Sequence, residues 1–204
     1  TSFNLRHWCR CNPGFTAAAG TEHPVTDTDC VPCSAGKYKD VEGSANCTAC
    51  SAGKYNENQQ AASEINCLRC SEGKYSTTIG ADSESYCTSC PRGTYQPLQG
   101  QISLLNCTKC SRGKYSYVTQ EGQTDEGVCR DCAAGFFLDF LGAISPENCT
   151  ACGAGTYGLH AGAENVSSCL LCPEGTYSPD TAQTDASTCS PCRAGTYQPL
   201  PGQA

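Results

Sequence analysis

Apolar residues in this 204-residue chain recur at fixed places in a short repeat and form no long runs. The second cysteine of each Cys-x-x-Cys pair is followed by a glycine and then an aromatic residue, as at Gly93 and Tyr95. A second turn residue, often glycine, precedes the next pair by four to seven residues, and Thr, Tyr and Ser are frequent between the two turns. This pattern predicts two short strands per repeat, forming a small β-hairpin, with little or no helix.

The cysteine spacing makes these hairpins an array. Nine Cys-x-x-Cys pairs, separated by 17, 20 or 22 residues, begin at Cys30, Cys47, Cys67, Cys87, Cys107, Cys129, Cys149, Cys169 and Cys189. Periods of this length are typical of stacked repeats, so we predict an elongated solenoid or rod of about ten disulfide-rich units of about 20 residues. Residues 1–29 are predicted to form a lead-in and a degenerate first repeat, and residues 30–204 the tandem array, with its last repeat incomplete.

The glycine and the aromatic residue of each repeat are interpreted as structural. The aromatic residue is Tyr in eight of the nine repeats that follow a pair and Phe137 in the other. Glycine permits a backbone turn that a Cβ atom would hinder. The ring adds buried area over the disulfide or the neighbouring unit.

The composition argues against one shared hydrophobic core. Leu, Ile, Val and Phe together number 26 of the 204 residues, whereas cysteines number 20. So little apolar surface cannot offset the backbone entropy of folding, about 1–2 kcal/mol per residue. A disulfide closing a loop of about 15 residues contributes about 3 kcal/mol, so one per repeat would stabilise the chain locally. Such a framework requires an oxidising compartment, which predicts an extracellular or cell-surface protein.

The sequence alone leaves the pairing of the cysteines open. The simplest periodic solution joins the second cysteine of each pair to the first of the next: Cys11–Cys30, Cys33–Cys47, Cys50–Cys67, Cys70–Cys87, Cys90–Cys107, Cys110–Cys129, Cys132–Cys149, Cys152–Cys169 and Cys172–Cys189. This solution leaves Cys9 and Cys192 unpaired, so they are candidates for an intermolecular disulfide. Cys192 could instead pair with a cysteine beyond Ala204. In one alternative each Cys-x-x-Cys pair is closed by its own disulfide, an arrangement typical of redox enzymes. In the other, two pairs together bind a structural zinc ion, but nine pairs would leave one pair unused.

Four glycosylation sequons support the extracellular prediction. They lie at Asn46, Asn106, Asn148 and Asn165, and the first three each directly precede the first cysteine of a pair. N-linked glycans at these positions require the asparagine to face solvent.

Other functional classes find little support in the residues. The net charge of -7 argues against binding nucleic acid, and no apolar run reaches the length of a membrane span. His7, His23 and His160 are far apart in the sequence and match no familiar catalytic arrangement, so we expect no enzyme, cofactor or metal site. Asp27 and Asp29 lack the further ligands that a calcium site needs. The chain has no methionine and stops within a repeat, so we expect a processed chain or fragment whose array continues or is completed by another chain.

The phrase Cys-x-x-Cys-[SP]-x-Gly-[KT]-Tyr, followed by a glycine and the next pair, resembles the ephrin-receptor-like cysteine-rich repeat over residues 30–197. That repeat belongs to the disulfide ladders of growth-factor-receptor and tumour-necrosis-factor-receptor type, and similar arrays occur in surface and flagellar-hair proteins of protists and algae. The resemblance implies a non-enzymatic extracellular array. We therefore expect a structural protein that self-associates head-to-tail to build or coat a filament. The alternative is the stalk or ligand-binding ectodomain of a receptor or adhesin, with residues 133–141 as the candidate exposed patch.

Overall fold

The computed structural model describes residues 10–19 and 29–204, which form nine two-stranded antiparallel hairpins. The strands are β1 Phe15–Ala17, β2 Cys30–Pro32, β3 Lys37–Tyr38, β4 Thr48–Ala49, β5 Lys54–Tyr55, β6 Leu68–Arg69, β7 Lys74–Tyr75, β8 Thr88–Ser89, β9 Thr94–Tyr95, β10 Thr108–Lys109, β11 Lys114–Ser116, β12 Cys129–Asp131, β13 Phe136–Phe137, β14 Thr150–Ala151, β15 Thr156–Tyr157, β16 Leu170–Leu171, β17 Thr176–Tyr177 and β18 Ser190–Pro191. Each strand pairs with its neighbour in sequence, which confirms the predicted hairpins.

The predicted turns place the paired strands. In each repeat the first strand carries the aromatic residue and the second lies at the next cysteine pair, as where Tyr95 of β9 faces Thr108 of β10. A backbone hydrogen bond of 2.9 Å from the N–H of Cys110 to the carbonyl of Gly93 also joins the two ends of this hairpin. A two-residue strand is too short to be stable alone, so each hairpin depends on its disulfide and its neighbours.

A short 3-10 helix precedes most cysteine pairs, a feature that the hairpin pattern of the sequence did not predict. The helices that lie wholly within the described residues are of this kind, three residues each: Glu64–Asn66, Glu84–Tyr86, Leu104–Asn106, Glu126–Val128, Pro146–Asn148, Val166–Ser168 and Ala186–Thr188. Four residues before each of these cysteine pairs lies a Ser, Asp or Asn whose side chain accepts the backbone N–H two residues later, as Ser145 does from Glu147. Such side chains are favoured at helix N-termini, so this periodic residue is the missed sequence signal.

Asp185 offers a test of this cap. Its carboxylate accepts the hydroxyl and, at 2.8 Å, the backbone N–H of Ser187, and these bonds hold the pKa of Asp185 below its ordinary value of 3.8. The cap is therefore complete above that value and is lost as the pH falls through the lower pKa of the folded state. We expect the Ser187 amide NMR shift to titrate below pH 3.8 in the native chain and to stay flat in Asp185→Ser, which keeps a capping oxygen. A flat native titration would contradict this assignment.

Successive repeats are joined by backbone hydrogen bonds, which are described within each of the two compact units of the chain. One unit comprises the described residues up to Ser89 with Gln96–Asn106, and the other comprises Cys90–Tyr95 with Cys107–Ala204. Each repeat is named here by the cysteine that opens it, the second of a pair. Between the Cys110 and Cys132 repeats, Gly113 N–H donates to Leu138 O at 2.9 Å, Ser116 N–H to Ala143 O at 2.8 Å, and Gly142 N–H to Cys110 O at 2.8 Å.

The same three bonds recur in the first unit with different side chains. Between the Cys33 and Cys50 repeats, Gly36 N–H donates to Asn56 O at 2.7 Å, Lys39 N–H to Ala61 O at 3.0 Å, and Gln60 N–H to Cys33 O at 2.8 Å. A parallel β-bridge between the aromatic residue of one repeat and the residue after the second turn of the next accompanies them, as at Tyr38 and Ala61. The junction is therefore built from main-chain groups.

The buried interior of each repeat consists of the opening cysteine and the residue directly after the aromatic one. The opening cysteines of the described repeats, apart from Cys192, are fully or almost fully buried. The residue after the aromatic one is buried and mostly polar: Lys39, Asn56, Ser76, Gln96, Ser116 and Ser178, with Leu138 and Gly158 as the non-polar exceptions. Several of these side chains accept the backbone N–H two residues ahead, as Asn56 does from Asn58 at 3.1 Å and Gln96 from Leu98 at 3.0 Å. Hydrogen bonding allows the burial of Asn56, Gln96 and Ser76, because a buried polar group is costly only when unpaired, whereas the Oγ atom of Ser116 is buried without a partner among the described residues.

Candidate functional site

In the repeats from Cys11 to Cys152, the first glycine is commonly a tight point of the stack, whereas Gly175 and Gly195 have open space. Gly113 has φ +75°, and a Cβ built on it would lie 2.1 Å from the carbonyl oxygen of Gly162, two repeats further along. Gly36 meets Gly80 in the same way at 2.1 Å. Three consecutive repeats therefore touch at this residue, where a side chain would be excluded by both backbone conformation and space.

The nine disulfides of the structure join the pairs of the periodic solution. They are Cys11–Cys30, Cys33–Cys47, Cys50–Cys67, Cys70–Cys87, Cys90–Cys107, Cys110–Cys129, Cys132–Cys149, Cys152–Cys169 and Cys172–Cys189, with Cα–Cα distances of 5.5–5.9 Å. Neither self-closed pairs nor a cluster of three or more metal-ligating side chains occurs among the described residues. Cys192 is a half-buried free thiol in the described part of the chain, and its proposed partner Cys9 lies outside that part.

The four sequon asparagines lie at the surface. Asn46, Asn106 and Asn165 are exposed and Asn148 is half-buried. The Oδ1 atom of Asn148 accepts the backbone N–H of Ile144 at 3.2 Å, and that of Asn165 accepts the backbone N–H of Ser167 at 3.0 Å. No side chain among the four donates a hydrogen bond through Nδ2 to another described residue.

The predicted apolar patch at residues 133–141 is only partly a surface. Leu138 is 1% exposed and packs with Cys132 and Ala143, while Phe136 is half-buried against them. Phe137 is also half-buried, since β13 pairs with β14 on one side and bridges the next repeat on the other. Only Phe140 and Leu141 of this segment's large apolar side chains are exposed. The most apolar repeat thus places Leu138 where other repeats bury a polar residue.

The ion pairs of the hairpins lie at the surface and form no buried site among the described residues. Lys54 contacts Glu64 at 2.7 Å and Lys74 contacts Glu84 at 2.9 Å, each between the first strand of a repeat and its 3-10 helix. The hydrogen bond and charge of Lys54 lower the pKa of Glu64. Pairs this exposed contribute little to stability individually.

Lys39 is the buried basic residue of the first unit. It is 2% exposed, and its ammonium donates to the carbonyl oxygens of Phe15, at 2.7 Å, and Gly43. Burial lowers the pKa of Lys39, because desolvation penalises the charged form. The bond to Phe15 joins the degenerate first hairpin to the Cys33 repeat, and the bond to Gly43 lies within that repeat.

One open concavity of about 570 Å³ lies in the Cys152 repeat. It is lined by Leu159, His160, Glu164, Asn165 and Leu170, among others. His7 and His23 lie outside the described residues, so the structure does not test whether they approach His160. None of the helices formed by the described residues has the length and apolar content needed to cross a bilayer.

The geometry defines a class of protein: an array of small hairpin repeats, each closed by one disulfide and stacked through its main chain. The family model described as "Tyrosine-protein kinase ephrin type A/B receptor-like" matches residues 20–67 and 82–119, somewhat less than half of the chain. This match and the nine disulfides support an array of cysteine-rich, ephrin-receptor-like repeats, as the sequence predicted. Repeats of this family are receptor-type modules that typically carry no catalysis. No curated protein matches the chain.

Proposed function

We propose that this chain is a non-enzymatic structural protein of the extracellular space or cell surface, whose stacked repeats build or coat a filament. The recurring junction carries the proposal. It uses backbone N–H and C=O groups, so stacking does not depend on side-chain identity: Gly36 bonds to Asn56 and Gly113 to Leu138 in the same manner. Repeats that fit one another in this way extend by head-to-tail contacts, which do not close and produce fibres.

The Cys192 repeat presents the surface that other repeats use at a junction. Tyr197 is 84% exposed, whereas the equivalent Tyr157 and Tyr177 are half-buried. A Cβ on Gly195 would have no atom of the described residues within 4 Å. The free thiol of Cys192 lies in the same repeat, which supports a covalent contact with another copy there.

Sedimentation and electron microscopy of the purified, oxidised chain test this proposal. We expect concentration-dependent oligomers that become filaments, and a monomer whose radius of gyration clearly exceeds the value of about 17 Å for a compact chain of this length. Non-reducing peptide mapping should recover a Cys9–Cys192 peptide that links separate chains. The matched variant Cys192→Ser should then lose the covalent oligomers while keeping the hairpins. A chain that stays monomeric at all concentrations would overturn the proposal that it builds a filament.

The second candidate is the stalk or ligand-binding ectodomain of a receptor or adhesin. The receptor-like description of the matched family favours it. Phe140 and Leu141 supply an exposed apolar contact point beside the second turn of their repeat. A monomer that binds a cell surface, and whose binding falls in Phe140→Ser with Leu141→Ser, would support this candidate instead.

A further inference from the structure

We propose that N-linked oligosaccharides on Asn106, Asn148 and Asn165 cover the apolar loops of their own repeats. The Cys90 repeat shows the need for a cover. Its exposed large apolar side chains are Leu98, Ile102, Leu104 and Leu105, of which Leu105 is 93% exposed. The stretch from residue 93 to residue 108 contains no Asp, Glu, Lys or Arg. Soluble proteins rarely leave such apolar surface uncovered.

Asn106 lies within this patch. It ends the 3-10 helix Leu104–Asn106, so it directly follows the exposed Leu105. The side chain of Gln96 connects it to the other edge of the patch, because Nε2 donates to the carbonyl of Asn106 and Oε1 accepts the N–H of Leu98 at 3.0 Å. A sugar on Asn106 is therefore attached between Leu98 and Leu105.

Asn148 has an equivalent setting in the Cys132 repeat. Its Oδ1 atom accepts the N–H of Ile144 at 3.2 Å, which holds its side chain against that residue. Ile144 is exposed, as are Phe140 and Leu141. The amide nitrogen, the atom that carries a glycan, makes no hydrogen bond within the described residues.

Asn165 lies at a concave surface. It lines the 570 Å³ concavity with the exposed Leu159 and Leu170, a space wide enough for a sugar ring. Its Oδ1 atom accepts the hydrogen bond from the N–H of Ser167, so the Nδ2 atom is available to carry the glycan. The capping bond and the modification are therefore compatible.

Two repeats without a sequon at this place solvate their loops differently. The Cys172 repeat has no exposed large apolar side chain between its cysteines and carries Asp180 and Asp185. In the Cys50 repeat, Asn66 occupies the position of Asn106, but the sequon is broken by Leu68. There the ion pair of Lys54 with Glu64 lies on the same 3-10 segment as the exposed Ile65.

The modification needs a lipid-diphosphate-linked oligosaccharide as donor. The Nδ2 atom of asparagine forms a bond to C1 of the first N-acetylglucosamine and loses a proton, while the bond from C1 to the diphosphate oxygen breaks and the lipid diphosphate leaves. The C–H faces of the attached sugar then pack on the leucine and isoleucine side chains, and its hydroxyl groups face water. This inference stands apart from the filament, because it is measured on the single chain.

The test uses the full chain secreted by a host that performs N-glycosylation. Peptide mass spectrometry measures occupancy at each sequon, and the fluorescence of an apolar-surface dye measures uncovered surface. We expect Asn106 to be occupied, and Asn106→Gln and Thr108→Ala, which each remove the sequon, to raise dye fluorescence severalfold. Adding Leu98→Ser and Leu105→Ser to Asn106→Gln should return the signal to that of the native chain. Asn46→Gln is the matched control, because the loop before Asn46 exposes Val41 as its one large apolar side chain, between the acidic Asp40 and Glu42, and should gain little dye.

Enzymatic removal of the glycans from the folded native chain repeats the test without a mutation, in case a variant is not secreted. The dye signal should rise there too. An unoccupied Asn106, or glycan removal that leaves dye binding unchanged, would overturn the proposal.

Discussion

Gly113→Ala is expected to lower the free energy of unfolding by more than about 3 kcal/mol, as the close contact adds to the backbone strain. At φ +75°, an L-residue costs about 1–2 kcal/mol relative to glycine. The new Cβ would also lie 2.1 Å from the carbonyl oxygen of Gly162, a distance that forces the backbone of two repeats apart. The hydrogen bond from Gly113 N–H to Leu138 O should lengthen or break with this movement.

Two other glycines separate the contributions. Gly175 has the same φ of +75° with no described atom within 4 Å of its Cβ position, so Gly175→Ala should cost only the conformational penalty of about 1–2 kcal/mol. Gly153 lies outside the left-handed region and also has open space, so Gly153→Ala should be neutral or stabilising by about 0.4–1 kcal/mol. Denaturant unfolding of the oxidised chains measures all three. Equal losses in Gly113→Ala and Gly175→Ala would show that the close contact has no energetic weight.

Removal of one disulfide is expected to have the second large effect. Replacing Cys132 and Cys149 together with alanine opens a loop with a sequence separation of 17 residues, which should cost about 3 kcal/mol. Cys132 is fully buried and packs with Leu138 and Ala143, so local packing is lost as well. In an array whose repeats mainly contact near neighbours, the damage should stay near the opened repeat.

Hydrogen exchange of the oxidised chains measures this spread. Amides of residues 133–148 and of the adjoining repeats should exchange faster, while those of the Cys50 repeat should keep their native rates. Cys192→Ala is the matched control, because Cys192 has no disulfide and is only half-buried. Faster hydrogen exchange throughout the chain would contradict the prediction that each disulfide stabilises mainly its own and the adjoining repeats.

The repeat itself was predictable because its determinants are local in sequence. Each of the nine disulfides spans 14–19 residues, and each hairpin joins a strand inside such a loop to the strand at the cysteine pair that closes it. The glycine and aromatic positions mark the turn and the first strand. The 3-10 helices were also predictable, since the capping residues Ser63, Ser83, Asp125 and their equivalents recur at one place in the repeat, but a three-residue helix is too short to show a helical period in the sequence.

The sequence by itself thus determined the local repeat: a stapled hairpin whose cysteines pair at a fixed period, because a short loop leaves few other partners within reach. Only the tertiary structure decided which residues become interior. Lys39 and Asn56 are polar yet buried, because the next repeat covers them and nearby groups accept their hydrogen bonds. The contact of Gly113 with Gly162 likewise exists only after three repeats have stacked, so no single repeat encodes it.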